Sequence, residues 1–254
     1  MSQQIKLTSL STTVVHANHA LITGDGFVNS SIPGWNNCTV NVVINEAMGA
    51  NFAQLRTILT PSSVLKGKAK QTQLFFYVVD GSCTFDIFNR KLTLSKGGYA
   101  YVPIGHSYTI DNGEAGTELL SFHKKYEALE GHDLPVPLMG SDKDHIQTIY
   151  ENEPGLLMRN LLPDQENKSF DMAVNIFTYK PGANLPFVET HIMEHGLLYL
   201  EGQGIYRLDD QWYPVRKGDA IWMAPYCPQW FGALGTEPAT YIYYKDVNRH
   251  PIAP

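Results

Sequence analysis

The chain has 254 residues, 43% hydrophobic and 17% charged, with a formal net charge of -6. That composition suits one large or two small globular domains and excludes a disordered or fibrous chain. The acidic balance, with no basic cluster longer than Lys124-Lys125, argues against a nucleic-acid surface. Three scattered cysteines (Cys38, Cys83, Cys227) with no CxxC pair favour free thiols in a reducing compartment. The stretch Met1 to Lys6 carries no long apolar run, so the expected location is cytoplasmic, with no membrane span.

In chain order, an N-terminal arm at residues 1–40 comes first. Short runs rich in Val, Ile, Phe and Tyr follow, among them Cys83 to Phe88, Lys91 to Leu94 and Tyr99 to Pro103, broken by Gly, Asp and Asn. These read as strands. A connecting segment is expected at 126–155, and Ser169 to Ile176 then alternates polar and apolar residues, the mark of a half-buried strand. Long helical periodicity is absent. The second half repeats the first: Phe76 to Gly81 overlays Leu197 to Gly202, Lys96-Gly97 overlays Lys217-Gly218, and Lys124 overlays Lys245, at a constant offset of 121 residues. The expected fold is all-β, two small antiparallel barrels in tandem, at 41–125 and 156–254.

The richest cluster of potential metal ligands is Glu189-Thr190-His191-Ile192-Met193-Glu194-His195, where Glu, His and His stand two and four residues apart. His195 is followed at seven residues by Gly202, and Gly218 leads eleven residues later to Gln229. That layout resembles the cupin superfamily, with the ligand types permuted: Glu189, His191, His195 and Gln229 stand at the metal positions. Alternation along an extended segment would put Glu189 and His191 on one face. Glu194 has the wrong parity and is expected to point away from the metal as an ordinary exposed carboxylate. Carboxylate, two imidazoles and a carboxamide suit Mn(II), or Fe(II) as second choice, better than a structural zinc site, and leave two positions of a six-coordinate ion open. The alternative is a pair of histidines satisfied by hydrogen bonds. Subtracting the offset gives Lys68, Lys70, Leu74 and Tyr108, so the N-terminal barrel is expected to fold as a cupin without a metal site, with His106 structural or solvent-facing.

A closer resemblance runs through Phe170-Asp171-Met172, Glu189-Thr190-His191, Glu194-His195-Gly196, Gly202 to Tyr206 and Tyr244 to Arg249, with Ile32-Pro33-Gly34 and Gly97-Gly98-Tyr99 in the first half. The chain is similar to the (S)-ureidoglycine aminohydrolases, manganese-dependent bicupins of allantoin and purine breakdown. The resemblance implies a hydrolase releasing ammonia from (S)-ureidoglycine to give (S)-ureidoglycolate. It also implies a substrate site formed by Lys245, Tyr206 and Tyr241 together with Glu189 and Gln229. In this reading Lys245 neutralises the substrate carboxylate and Glu189 holds the amino group while remaining a ligand. Otherwise Lys245 would be a solvated strand-edge charge, and the two tyrosines ordinary barrel packing. Two His and a carboxylate also describe a non-haem iron dioxygenase, against which Gln229 weighs because it fills a position dioxygen would need. A non-catalytic metal-bearing binding cupin is the remaining alternative. A homo-oligomer is left open, since cupin barrels often pair through their sheets but no stripe marks an interface.

Overall fold

The structure, a computed structural model, describes residues 12–250 apart from 112 and 165. The first eleven residues of the arm, the Met1 to Lys6 stretch included, and residues 251–254 of the second barrel lie outside it. The architecture is all-β, two tandem antiparallel cupin barrels, and the repeat persists in three dimensions. Strands Ser82–Ile87, Arg90–Ser95 and Glu118–Lys125 recur 121 residues later as Gln203–Leu208, Gln211–Arg216 and Ala239–Asp246. Their β-branched and aromatic residues point alternately inward, which is why the paired strands read so clearly in sequence. Tight turns join them: Phe88 and Asn89, both at positive φ, link Ser82–Ile87 to Arg90–Ser95, as a two-residue hairpin that follows the strand twist requires.

The arm and the connecting segment are strands of the sheets. His19–Ile22 pairs antiparallel with Ala220–Met223 of the second barrel, and Leu138–Ser141 pairs with the equivalent strand of the first, Gly98–Val102. Each half therefore lends a strand to the other. Trp35–Ile44 runs across position 40, and Glu153–Asn160 runs across positions 155 and 156.

Each barrel has its own buried core, and a third apolar cluster fills the space between them. At its centre Phe52 of the first barrel stacks on Tyr244 of the second, ring centroids 4.2 Å apart. Fully burying one such side chain contributes about 1.5–3 kcal/mol. A buried polar knot crosses the same boundary, where Asp171 takes a 2.6 Å ion pair from Lys124 and hydrogen bonds from Gln73 and the Glu127 N–H. A buried ion pair adds little net stability, but removing one partner strands a charge. The two barrels are thus packed as one body around the strands that carry the candidate site.

Candidate active site

Glu189 begins the site. It lies outside any regular strand, held by one isolated bridge in which Glu189 and Gln229 exchange both backbone hydrogen bonds. The extended segment expected for Glu189 and His191 is therefore a loop strapped to the strand Gln229–Ala233, while His195 and Gln229 each open a strand, His195–Glu201 and Gln229–Ala233. The His191 carbonyl is pinned by the Tyr226 N–H at 2.7 Å.

Two imidazoles and the carboxamide converge. His195 Nε2 lies 3.1 Å from His191 Nε2, and the Gln229 side-chain nitrogen lies 2.7 Å from the same His191 atom. The other ring nitrogens face carbonyls: Nδ1 of His195 is 3.2 Å from the Tyr244 oxygen, and Nδ1 of His191 is 3.2 Å from the Met193 oxygen. A carbonyl only accepts, so each Nδ1 carries the proton and both Nε2 lone pairs turn toward the same point. Burial pushes both histidines below the usual range, His195 well below it, with His191 and Lys245 adding to the effect on His195. Neutral rings are the form a metal takes.

The chemistry of this donor set fits a divalent ion. Ligands at right angles on an octahedral ion with bonds of about 2.1 Å sit about 3 Å apart, as the two imidazole Nε2 atoms do at 3.1 Å. Carbonyl-held Nδ1–H groups are also the usual support of metal-bound imidazoles. Among the described residues no three His, Cys, Asp or Glu side chains form a closed ligand cluster, and the Glu189 carboxylate accepts from the Tyr150 hydroxyl at 3.0 Å. Gln229 directs its amide oxygen to the Tyr206 hydroxyl at 3.4 Å, so a ligating Gln229 would exchange the two ends of its amide.

The cavity has a volume of about 110 Å³, several times the ~30 Å³ that a water molecule occupies in the liquid. A small metabolite fits there. Glu189, His191, His195, Gln229, Tyr206, Tyr241 and Lys245 all line it. Lys245 is not a free cation: its ammonium makes a 2.6 Å ion pair with Asp164, both side chains nearly buried. Tyr241 shares a hydroxyl contact with Tyr179 at 2.9 Å. Burial pushes the Glu189 carboxyl up, opposed by the Tyr150 hydrogen bond.

Glu194 requires a correction. It does point away from the histidines, but it is fully buried, not exposed. Its carboxylate accepts from the Asn51 N–H of the first barrel and from Trp222 Nε1 at 2.8 Å, and burial raises it to about 7. Lys68 and Lys70 are exposed, and His106 is half-buried against Phe88. Sequence reasoning missed Tyr150, Phe177, Tyr243 and Asp164. Tyr243 shares strand parity with Tyr241 and Lys245 and could have been found that way; Tyr150 and Asp164 carry no local signal.

The cupin domain family matches residues 175–244. The chain is 37% identical over 244 residues to the (S)-ureidoglycine aminohydrolase of Arabidopsis thaliana, covering 94% of this chain and 79% of that protein. It is 35% identical to the (S)-ureidoglycine aminohydrolase of Escherichia coli (strain K12), covering 93% and 91%. The chain belongs to the (S)-ureidoglycine aminohydrolase family. The solved structure of protein Ylba from E. coli superposes with a TM-score of 0.85 at 32% identity, covering 96% of this chain and 97% of that one. Among the described residues of this family member no helix is long and apolar enough to cross a membrane.

Proposed function

We propose that this chain is a hydrolase that releases ammonia from (S)-ureidoglycine and leaves (S)-ureidoglycolate. Identity of 35–37% to proteins of that activity, over 93–94% of the chain, carries the reading. The small cavity, with its polar groups Glu189, His191, His195, Gln229 and Lys245 set among aromatic and apolar walls, supports it. The wider setting we assign is cytoplasmic purine and allantoin breakdown, in keeping with three free cysteines.

Glu189, His191, His195 and Gln229 would hold the metal, Mn²⁺ by preference and Fe²⁺ as second choice, on the strength of their mixed nitrogen and oxygen donors. When bound, such an ion supplies Lewis acidity and a template for the substrate. The Lys245 ammonium, oriented by Asp164, pairs with the substrate carboxylate. Glu189 offers the carboxylate oxygen not taken by Tyr150 to the amino group, whose nitrogen leaves more readily once protonated. Tyr206, Tyr241 and Tyr243 wall the cavity and limit water. Overall one C–N bond breaks, one C–O bond to water forms, and ammonia departs.

Ureidoglycine decays spontaneously, so the test generates it in place from allantoate with an amidohydrolase. Turnover should give one enantiomer of ureidoglycolate, with little action on allantoate itself; racemic product at the spontaneous rate from metal-loaded protein would overturn the reading. Elemental analysis should find manganese in the parent and its loss in His195→Ala and Gln229→Ala. Full metal content in His195→Ala would sink the ligand assignment.

A further inference from the structure

We infer that Tyr150 is a positioning residue of this site: its hydroxyl captures Oε1 of Glu189, leaving a single carboxylate oxygen to face the cavity, so that the hairpin of Thr148–Tyr150 and Glu153–Asn160, at the edge of the second barrel's sheet, is part of the active site. The inference rests on the functional reading above and deepens it.

Glu189 is restrained at both ends. Its backbone is tied to Gln229 by the isolated bridge, and its carboxylate is tied to Tyr150 at 3.0 Å. Without the second restraint the three side-chain torsions of a glutamate would be free to rotate, and ordering them would oppose ligation. Tyr150 is itself held firmly. It ends the strand Thr148–Tyr150, whose register against Glu153–Asn160 shifts between Ile149 and Tyr150 and re-aims the ring. The two residues that close this hairpin, Glu151 and Asn152, have φ of +48° and +60°. Asn tolerates the left-handed region; Glu there costs about 1–2 kcal/mol. Backbone strain of this kind persists where the surroundings enforce it, commonly beside functional groups.

The ring is wedged as well. Tyr150 meets Phe177 edge-on at 4.8 Å, Phe177 stacks on Tyr243 at 5.2 Å, and Tyr243 meets His195 edge-on at 5.4 Å. One aromatic row therefore sets the distance between the hydroxyl that holds Glu189 and the imidazole opposite it.

The test is Tyr150→Phe, which removes the hydroxyl and keeps the ring and its packing. Manganese affinity is measured by titration calorimetry, and turnover is measured across manganese concentrations. Partners of this kind are typically worth about ten- to a hundred-fold in metal affinity. The expected result is a loss of that size, with turnover climbing back toward the parent value as manganese saturates. In a Glu189→Gln background the same substitution should change affinity no further. Unchanged affinity in Tyr150→Phe, turnover lost without rescue by metal, or losses that add in the double variant would each overturn the inference. A parent protein that binds no manganese would instead remove the metal reading beneath it, before any variant is compared.

Discussion

At the scale of single residues, the buried pair Lys245–Asp164 joins the proposed substrate contact to the stability of the fold. Lys245→Met should lower kcat/KM about ten- to a hundred-fold, as loss of a charge-assisted contact costs about 1.5–3 kcal/mol, with manganese still bound. It should also lower the melting temperature, because Asp164 Oδ1 already lacks a hydrogen-bond partner among the described residues and loss of the ammonium strands the whole carboxylate; breaking a buried pair costs about 3–5 kcal/mol. Adding Asp164→Asn should restore much of the stability and none of the activity, which thermal melts and steady-state kinetics would separate. Lys68→Ala and Lys70→Ala, on exposed side chains at the equivalent of the ligand positions, should leave turnover within a few-fold. The candidate ligands were legible because short spacings and glycines encode them. Tyr150 and Asp164 were not, because each reaches its partner across 39 and 81 positions of chain through a hairpin and a loop, and no periodicity records such contacts. Glu194 shows the limit of parity: alternation tells which way a side chain points, not that a second barrel covers that side.

At the scale of elements, the strand His195–Glu201 is braced from behind by the start of Phe52–Lys68. A Cβ added at Gly196 would lie 2.3 Å from the Phe52 ring, and Gln54 Nε2 donates to the Leu197 carbonyl at 3.1 Å. Gly196→Ala should therefore cost about 1–3 kcal/mol from overpacking and displace His195, read as a lower melting temperature together with weaker manganese binding. Another strand, Glu118–Lys125, carries a pH signature. His123, packed edge-on against Trp35 and Phe76, is pushed down to about 4 by burial. Its folded value lies below its unfolded one, so its contribution to stability is complete above about pH 6.5 and is lost as pH falls toward 4. His123→Phe should flatten the acid side of the stability curve, by up to about 1.4 kcal/mol per pH unit, in urea titrations of parent and variant. An equal slope in both would show that this imidazole does not govern acid sensitivity.

At the scale of the molecule, the constant offset of 121 residues made two barrels legible because each strand and turn recurs at the same distance. What the repeat could not convey is which barrel each outlying strand joins, since pairing of an edge depends on the neighbour available in space and not on local pattern. Removing residues up to Thr23 should expose the Ala220–Met223 edge of the second barrel while sparing Gly98–Val102, which hydrogen exchange would resolve strand by strand; equal protection in both would contradict the exchange. That exchange also imposes a timetable on synthesis. His19–Ile22 leaves the ribosome early, yet its partner Ala220–Met223 is translated almost two hundred residues later, a wait of about 10–40 s at ordinary elongation rates of about 5–20 residues per second. Leu138–Ser141, by contrast, emerges after its partner and can dock at once. During the interval His19–Ile22 has only the short strand Val14–Val15 beside it, and its other edge is open to the wrong edge of a neighbouring chain. The second barrel is thus the last part to close, its outer strand among the oldest segments of the chain and that strand's partner among the youngest.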